Sequence, residues 1–190
     1  MISVIGNRPA LQIGRYQVID YDVAWLDDAL RQAAEAAEHP DFPFIAEIRE
    51  GIEQYLETKC PLKLMHLDEL YRRLRKMLVK IGCEPIAAKL VQLAPPVSVS
   101  LARAAVEAGN GFELAFFEAL RVELAALRED GAVEVRFTDL RASVLILRGV
   151  EHWNKGCEAL LLEIQSFIAA WEREQPATLR PLRLVMENIN

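Results

Sequence analysis

Cysteine is scarce: only 3 occur in 190 residues, Cys60, Cys83 and Cys157, with no CxxC pair and no histidine at ligand spacing. Such usage leaves a disulfide framework or a zinc site nothing to form on, so reduced thiols and no bound metal are expected. Histidine is equally sparse. His39 and His66 fall at the ends of predicted elements and His152 just ahead of one, which fits boundary or solvated residues better than catalytic ones. The short signatures that carry a mechanism are missing as well: no GxxxxGK followed by Ser or Thr, no GxGxxG, no HExxH and no GxSxG. No apolar run approaches the roughly 20 residues that span a bilayer. The opening MISVIGNRPALQIG lacks the basic start and apolar core of a signal peptide. Positive charge is not in surplus either, with 22 Lys and Arg against 28 Asp and Glu and a net charge of −6. A general nucleic-acid binder carries the opposite balance. The chain is therefore expected to be soluble and cytoplasmic, with neither membrane nor nucleic acid as a partner.

What is present is a well-cored composition. Hydrophobic residues make up 52% and charged residues 26%, with 9 Gly and 9 Pro, the profile of a globular chain rather than a disordered one. The segment ISVIGNRPALQIGRYQVIDYD reads as two short strands around Asn-Arg-Pro and Ile-Gly turn signals. Asp22 is placed to cap a helix carrying Leu26, Leu30, Ala33 and Ala37, which HPDFP ends. Asp41 can cap a second, with Ile45, Ile48, Ile52, Tyr55 and Leu56 on one side and Glu47, Glu50, Glu53 and Glu57 outside that stripe. CPLKLMH is a connector with room for a small strand. A third helix follows on Leu67, Leu70, Leu74, Leu78 and Ile81, stopped by Gly82, and EPIAAKLVQL makes a fourth.

Ala94-Pro95-Pro96 divides the chain, because two consecutive prolines cannot continue a helix. Beyond it Val97, Val99 and Leu101 alternate with Ser98 and Ser100 as a half-buried strand. EAGNGFE is a turn, Phe116 to Leu127 a helix, and Val133, Val135 and Phe137 a second strand. Asp139 and Asn154 are placed to cap two further helices, and LRPLRLVME closes the chain as a strand. The expected fold is helix-dominated α+β: a β-hairpin plus four-helix domain over 1–94, then a smaller α/β portion over 97–190, in the order strand–helix–strand–helix–helix–strand.

Few of these residues suggest chemistry. The glutamates of the second helix read as a solvated face, and Ser98 and Ser100 have no identifiable base to make either a nucleophile. Trp25, Trp153 and Trp171 read as core or interface anchors. The conspicuous feature is a basic strip: Arg72, Lys76 and Lys80 recur every four residues, with Arg73 beside them. Such a line can neutralise phosphates. Yet Asp68 and Glu69 occupy the first turn and the cations the later ones, the arrangement the helix dipole favours. The glutamates of the preceding helix also face the strip in an antiparallel pair, so a solvated polar face is the first reading.

Residues 1–94 taken together resemble the ATP-cone family. YDVAWLDDALRQAAEAA is similar to the family's first helix and FIAEIREGIEQYL to its second. LDELYRRLRKMLVKIGCEPIAAKL is similar to its third helix and the short one that follows. The resemblance implies a regulatory module that binds ATP or dATP, as in ribonucleotide reductases and their transcriptional repressor, where a Lys-Arg pair on the hairpin grips phosphate. Here the hairpin reads IGNRPALQIGR, with Arg8 and Arg15 as its cations and no adjacent Lys-Arg. By resemblance Arg8, Arg15 and Lys89 are the nucleotide-binding candidates. The expectation is a non-enzymatic regulatory module whose purine nucleotide controls a homo-oligomer or a protein partner. The alternative is a protein-interaction or scaffold subunit with a decayed nucleotide site, using the Trp- and Phe-bearing helices of the C-terminal half.

Overall fold

Alternating apolar residues on either side of a Gly-Arg step make the first hairpin. In the computed structural model of the chain, which describes residues 8–176 and 180–187, β1 (Ala10–Ile13) and β2 (Tyr16–Val18) pair antiparallel with Ile13 opposite Tyr16. Gly14 takes φ 54°, the positive value a two-residue hairpin turn asks of its first central residue. The part of the expected hairpin before Arg8 lies outside the described residues. The chain divides into two compact units, Met1–Pro95 and Pro96–Asn190, and the whole is helix-dominated α+β.

In the first unit the hairpin is followed by α1 (Ala24–Ala36), α2 (Ile45–Thr58), β3 (Leu64–His66), α3 (Leu67–Lys80) and α4 (Glu84–Lys89). The connector CPLKLMH does contain a strand: β3 lies parallel to β1, with Leu11 opposite Met65, and the sheet order is β2-β1-β3. Leu11, Ile13 and Met65 point into a core completed by Leu26 and Leu30 of α1, Leu56 of α2 and Leu74 and Leu78 of α3. These stripes recur at three- and four-residue spacing, as amphipathic helices require.

Three local expectations need correction. Val23, not Asp22, holds the cap position of α1, and the Asp22 carboxylate instead accepts the Ala24 N–H at 2.9 Å, closing the turn ahead of the helix. Asp41 does not cap α2, which begins at Ile45 after Phe44. Pro43 explains the delay, because the residue before a proline is kept out of helical geometry and a helix starting at Phe42 is therefore disfavoured. Ile81 leaves the buried stripe of α3 and is 52% exposed as its C-cap, while Gly82 at φ 81° stops the helix as its position suggested.

The second unit, as long as the first, is a parallel three-stranded sheet in the order β4-β5-β6, with two helices in each crossover. The elements are β4 (Val97–Ser100), α5 (Leu101–Ala108), α6 (Glu113–Glu129), β5 (Glu134–Thr138), α7 (Leu140–Arg148), α8 (Lys155–Arg173) and β6 (Arg183–Met186). Helix α5 corrects the expected order. Leu101 does not extend the alternation of Val97 and Val99; it starts a helix that buries Leu101, Ala104 and Ala105. Ser100 is both the last strand residue and the cap, its hydroxyl accepting the Arg103 N–H at 3.3 Å. Asn154 caps α8 as expected, accepting from the N–H groups of Gly156 and Cys157. The sheet buries one face through Val97, Val99, Val135 and Phe137. Its other face carries Ser98 opposite Arg136 and Glu134 opposite Arg183.

Candidate functional site

The three cations singled out by resemblance stand in different settings. Arg8, just before β1, is committed to the protein itself. Its Nε donates to Glu57 at 2.9 Å, its Nη1 to the Tyr21 carbonyl at 2.9 Å, and its Nη2 reaches both Glu53 and Glu57. Glu53 and Glu57 are four residues apart on α2, so one helical turn presents two carboxylates to a single planar guanidinium. Burial opposes the Arg8 charge, but the two carboxylates outweigh it and its pKa is raised. A pocket of about 400 Å³ adjoins this cluster, lined by Arg8, Ile19, Asp20, Tyr21, Asp22, Glu53 and Glu57. Four carboxylates against one guanidinium make its field negative. Neither Arg15 nor Lys89 is among its lining residues.

Arg15 occupies the exposed hairpin turn, its guanidinium 5.5 Å from the centre of the Tyr16 ring. Lys89 is the exposed last residue of α4. Tyr21 closes the Arg8 cluster from beneath. Its hydroxyl donates to the Pro9 carbonyl at 2.9 Å, and burial pushes its pKa up to about 12 although the nearby Arg8 pulls the other way.

The two arginines of the basic strip are paired within α3 itself. Arg72 and Arg73 both pair with Glu69, Arg73 through its Nε at 2.7 Å. That hydrogen bond holds the Glu69 carboxyl below its ordinary value and Arg73 above its own. The expected contact with all four glutamates of α2 is not what forms, because Glu53 and Glu57 are turned to Arg8. The α2–α3 contact is made by Tyr55, whose hydroxyl accepts from Arg73 and whose ring lies 5.8 Å beneath that guanidinium.

Beside that contact runs an apolar groove of about 290 Å³, lined by Gly51, Ile52 and Tyr55 of α2 and Leu70, Arg73, Leu74 and Met77 of α3. Gly51 is a readable signal within an otherwise helical pattern. An interior helical glycine costs about 0.5–1 kcal/mol relative to alanine, and here nothing lies within 4 Å of where its Cβ would stand. By contrast, the roles of Glu53 and Glu57 had no local signal, since their partner is separated from them by 45 and 49 residues.

In the second unit, Asp139 at the end of β5 takes φ 59° and does not cap α7 with its side chain. Its carboxylate instead accepts from the Ser100 hydroxyl at 2.6 Å and the Thr138 hydroxyl at 3.0 Å, tying the carboxyl ends of β4 and β5 together. Phe167 and Trp171 of α8, and Trp153 just ahead of it, are half-buried and lie under arginines: Arg121 over Phe167 at 5.6 Å, Arg128 over Trp171 at 5.4 Å and Arg141 over Trp153 at 4.6 Å. Among the described residues no group of His, Cys, Asp and Glu is arranged to hold a metal ion, and no helix is long and apolar enough to cross a membrane. No family model, curated protein or solved structure matches the chain.

Proposed function

We propose that the protein is a protein-interaction or scaffold subunit, with an N-terminal unit built on an ATP-cone-like plan whose hairpin arginine is neutralised from within. The observation that carries this reading is the seat of Arg8 between Glu53 and Glu57. A nucleotide phosphate must displace two carboxylates from that guanidinium and enter a pocket that also contains Asp20 and Asp22. Coulomb repulsion between unit charges about 4 Å apart amounts to roughly 1 kcal/mol in water and about 4 kcal/mol near a protein surface. Both the lost pairing and the repulsion therefore oppose ATP or dATP. The same reading places the chain in the cytoplasm, supported by three cysteines that all remain thiols.

A thermal-shift series with ATP, dATP and ADP tests it. The expected result is no nucleotide-dependent stabilisation at millimolar concentration. A ligand at one hundred times its Kd stabilises by about 2.7 kcal/mol, so a saturable shift of that size would overturn the proposal. Loss of such a shift in Arg15→Ala and Lys89→Ala would restore the regulatory reading, in which Arg8, Arg15 and Lys89 grip the nucleotide.

A further inference from the structure

We propose that the groove between α2 and α3 binds an amphipathic organic acid, a small molecule with an apolar body of about ten carbons and an anionic head that meets Arg73. This site is independent of the interaction-subunit reading, which turns on Arg8, Glu53 and Glu57.

Size sets the body. An apolar cavity of about 150 Å³ takes up one benzene ring. The groove, at about 290 Å³, therefore has room for roughly two fused rings or a chain of about ten carbons. Ile52, Leu70 and Leu74 form buried walls, and Met77 lies half-buried beside them. A flexible thioether side chain adapts to either shape of ligand. Gly51 keeps the groove open: it is exposed, and nothing lies within 4 Å of where its Cβ would stand. The fold of the chain does not need glycine there. An occupant does, because a side chain at this lining position takes up groove volume.

Charge sets the head. Tyr55 and Arg73 are the two polar side chains of the lining, and they stand against each other. An apolar site with a few convergent polar groups is the usual form of a small-molecule pocket, the polar groups fixing the ligand's orientation. Arg73 is held from two sides, its Nε donating to Glu69 at 2.7 Å and its Nη1 to the Tyr55 hydroxyl. Its Nη2 makes no hydrogen bond among the described residues. A guanidinium already fixed by two partners, with one amino group unused, can bind an oxyanion at little cost in ordering. The surroundings favour that sign of charge. Arg72 pairs with Glu69 and Lys76 also acts on it, so three cations answer one carboxylate. The basic strip of α3 thus attracts an acid to the groove and disfavours an amine.

Isothermal titration calorimetry of the full chain with naphthoate and decanoate tests the site, with naphthamide as the uncharged match for the first. Both acids are expected to bind once per chain, with Kd between roughly 10 μM and 1 mM as suits ligands of this size. The amide should bind about tenfold more weakly. Gly51→Leu should abolish binding of all three with the helical circular dichroism kept and Tm unchanged or raised, since open space surrounds the position. Arg73→Gln should weaken both acids about tenfold and leave the amide as it was, a pattern that general damage to the groove does not give. Absence of saturable binding by either acid would overturn the proposal, as would binding that survives Gly51→Leu. An amide as tight as its acid, with neither moved by Arg73→Gln, would remove the anionic head and the proposal with it. A dimer in sedimentation velocity that Gly51→Leu abolishes, with no uptake of either acid, would give the groove to a second copy instead. The nucleotide series reads Arg8, Arg15 and Lys89, none of which lines this groove, so either reading can fail while the other stands.

Discussion

Replacing Arg8 by alanine distinguishes a structural clamp from an arginine held ready for phosphate. The side chain donates to Glu57, Glu53 and the Tyr21 carbonyl, tying the segment that leads into β1 to the last two turns of α2 and to the loop ahead of α1. Hydrogen bonds to charged groups contribute roughly 1.5–3 kcal/mol each where they are sheltered from water. Arg8 is 20% exposed, but its partners Glu53 and Glu57 are 33% and 44% exposed, so solvent screens much of that attraction. The two bonds to Glu57 also share one carboxylate oxygen and are not additive. The screened expectation is a coupling of about 1–2 kcal/mol between Arg8 and the glutamate pair, with about 2–3 kcal/mol as the full cost of Arg8→Ala. The assay is a double-mutant cycle in urea: wild type, Arg8→Ala, Glu53→Gln with Glu57→Gln, and the combination. Trp153 and Trp171 both lie in the second unit. Their replacement by phenylalanine leaves Trp25 fluorescence as a reporter on the first unit alone. Coupling within about 0.5 kcal/mol of zero would refute the clamp, because that is what an arginine without a stabilising partner gives.

Two further predictions concern the same unit. Tyr71 is fully buried, and its hydroxyl donates to the Leu93 carbonyl at 2.9 Å and accepts the Leu93 N–H at 2.7 Å. Tyr71→Phe leaves both backbone groups without that partner, at about 1–3 kcal/mol per orphaned group. A total loss of roughly 2–4 kcal/mol with an unchanged urea m-value is expected, and a loss below about 1 kcal/mol would contradict it. Tyr21 makes stability fall at high pH. Its pKa is raised to about 12 in the folded chain, so the stabilisation is complete below the ordinary phenol value near 10 and lost as pH rises from about 10 to 12. The expected loss is roughly 2–3 kcal/mol, and Tyr21→Phe should flatten that part of the profile. An unchanged slope in the variant would show that another group is responsible.

The amino-acid sequence by itself determined which stretches are helices and which faces they bury, because those properties follow from local spacing. The stripes Leu26–Leu30–Ala33 and Leu70–Leu74–Leu78, the stop at Gly82 and the cap at Asn154 are all legible one turn at a time. Where a residue serves two elements at once, local reading falls short. Ser100 ends a strand and opens a helix, so in the sequence the alternation of Val97 and Val99 runs on through Leu101 and hides α5. Asp139 has the identity of a cap, but its carboxylate is taken by Ser100, 39 residues earlier.

Only the tertiary structure decided the charge pairing and the site. Arg8 meets Glu53 and Glu57 because the start of β1 comes to rest against the end of α2, and nothing in either segment announces the other. That pairing turns a cation singled out for phosphate into a neutralised clamp, and it draws two glutamates away from the basic strip of α3. The groove beside Gly51 exists only once residues of α2 and α3 come together. Side-chain periodicity is a property of a few consecutive residues, whereas electrostatic pairing belongs to groups that the chain brings together over dozens of residues.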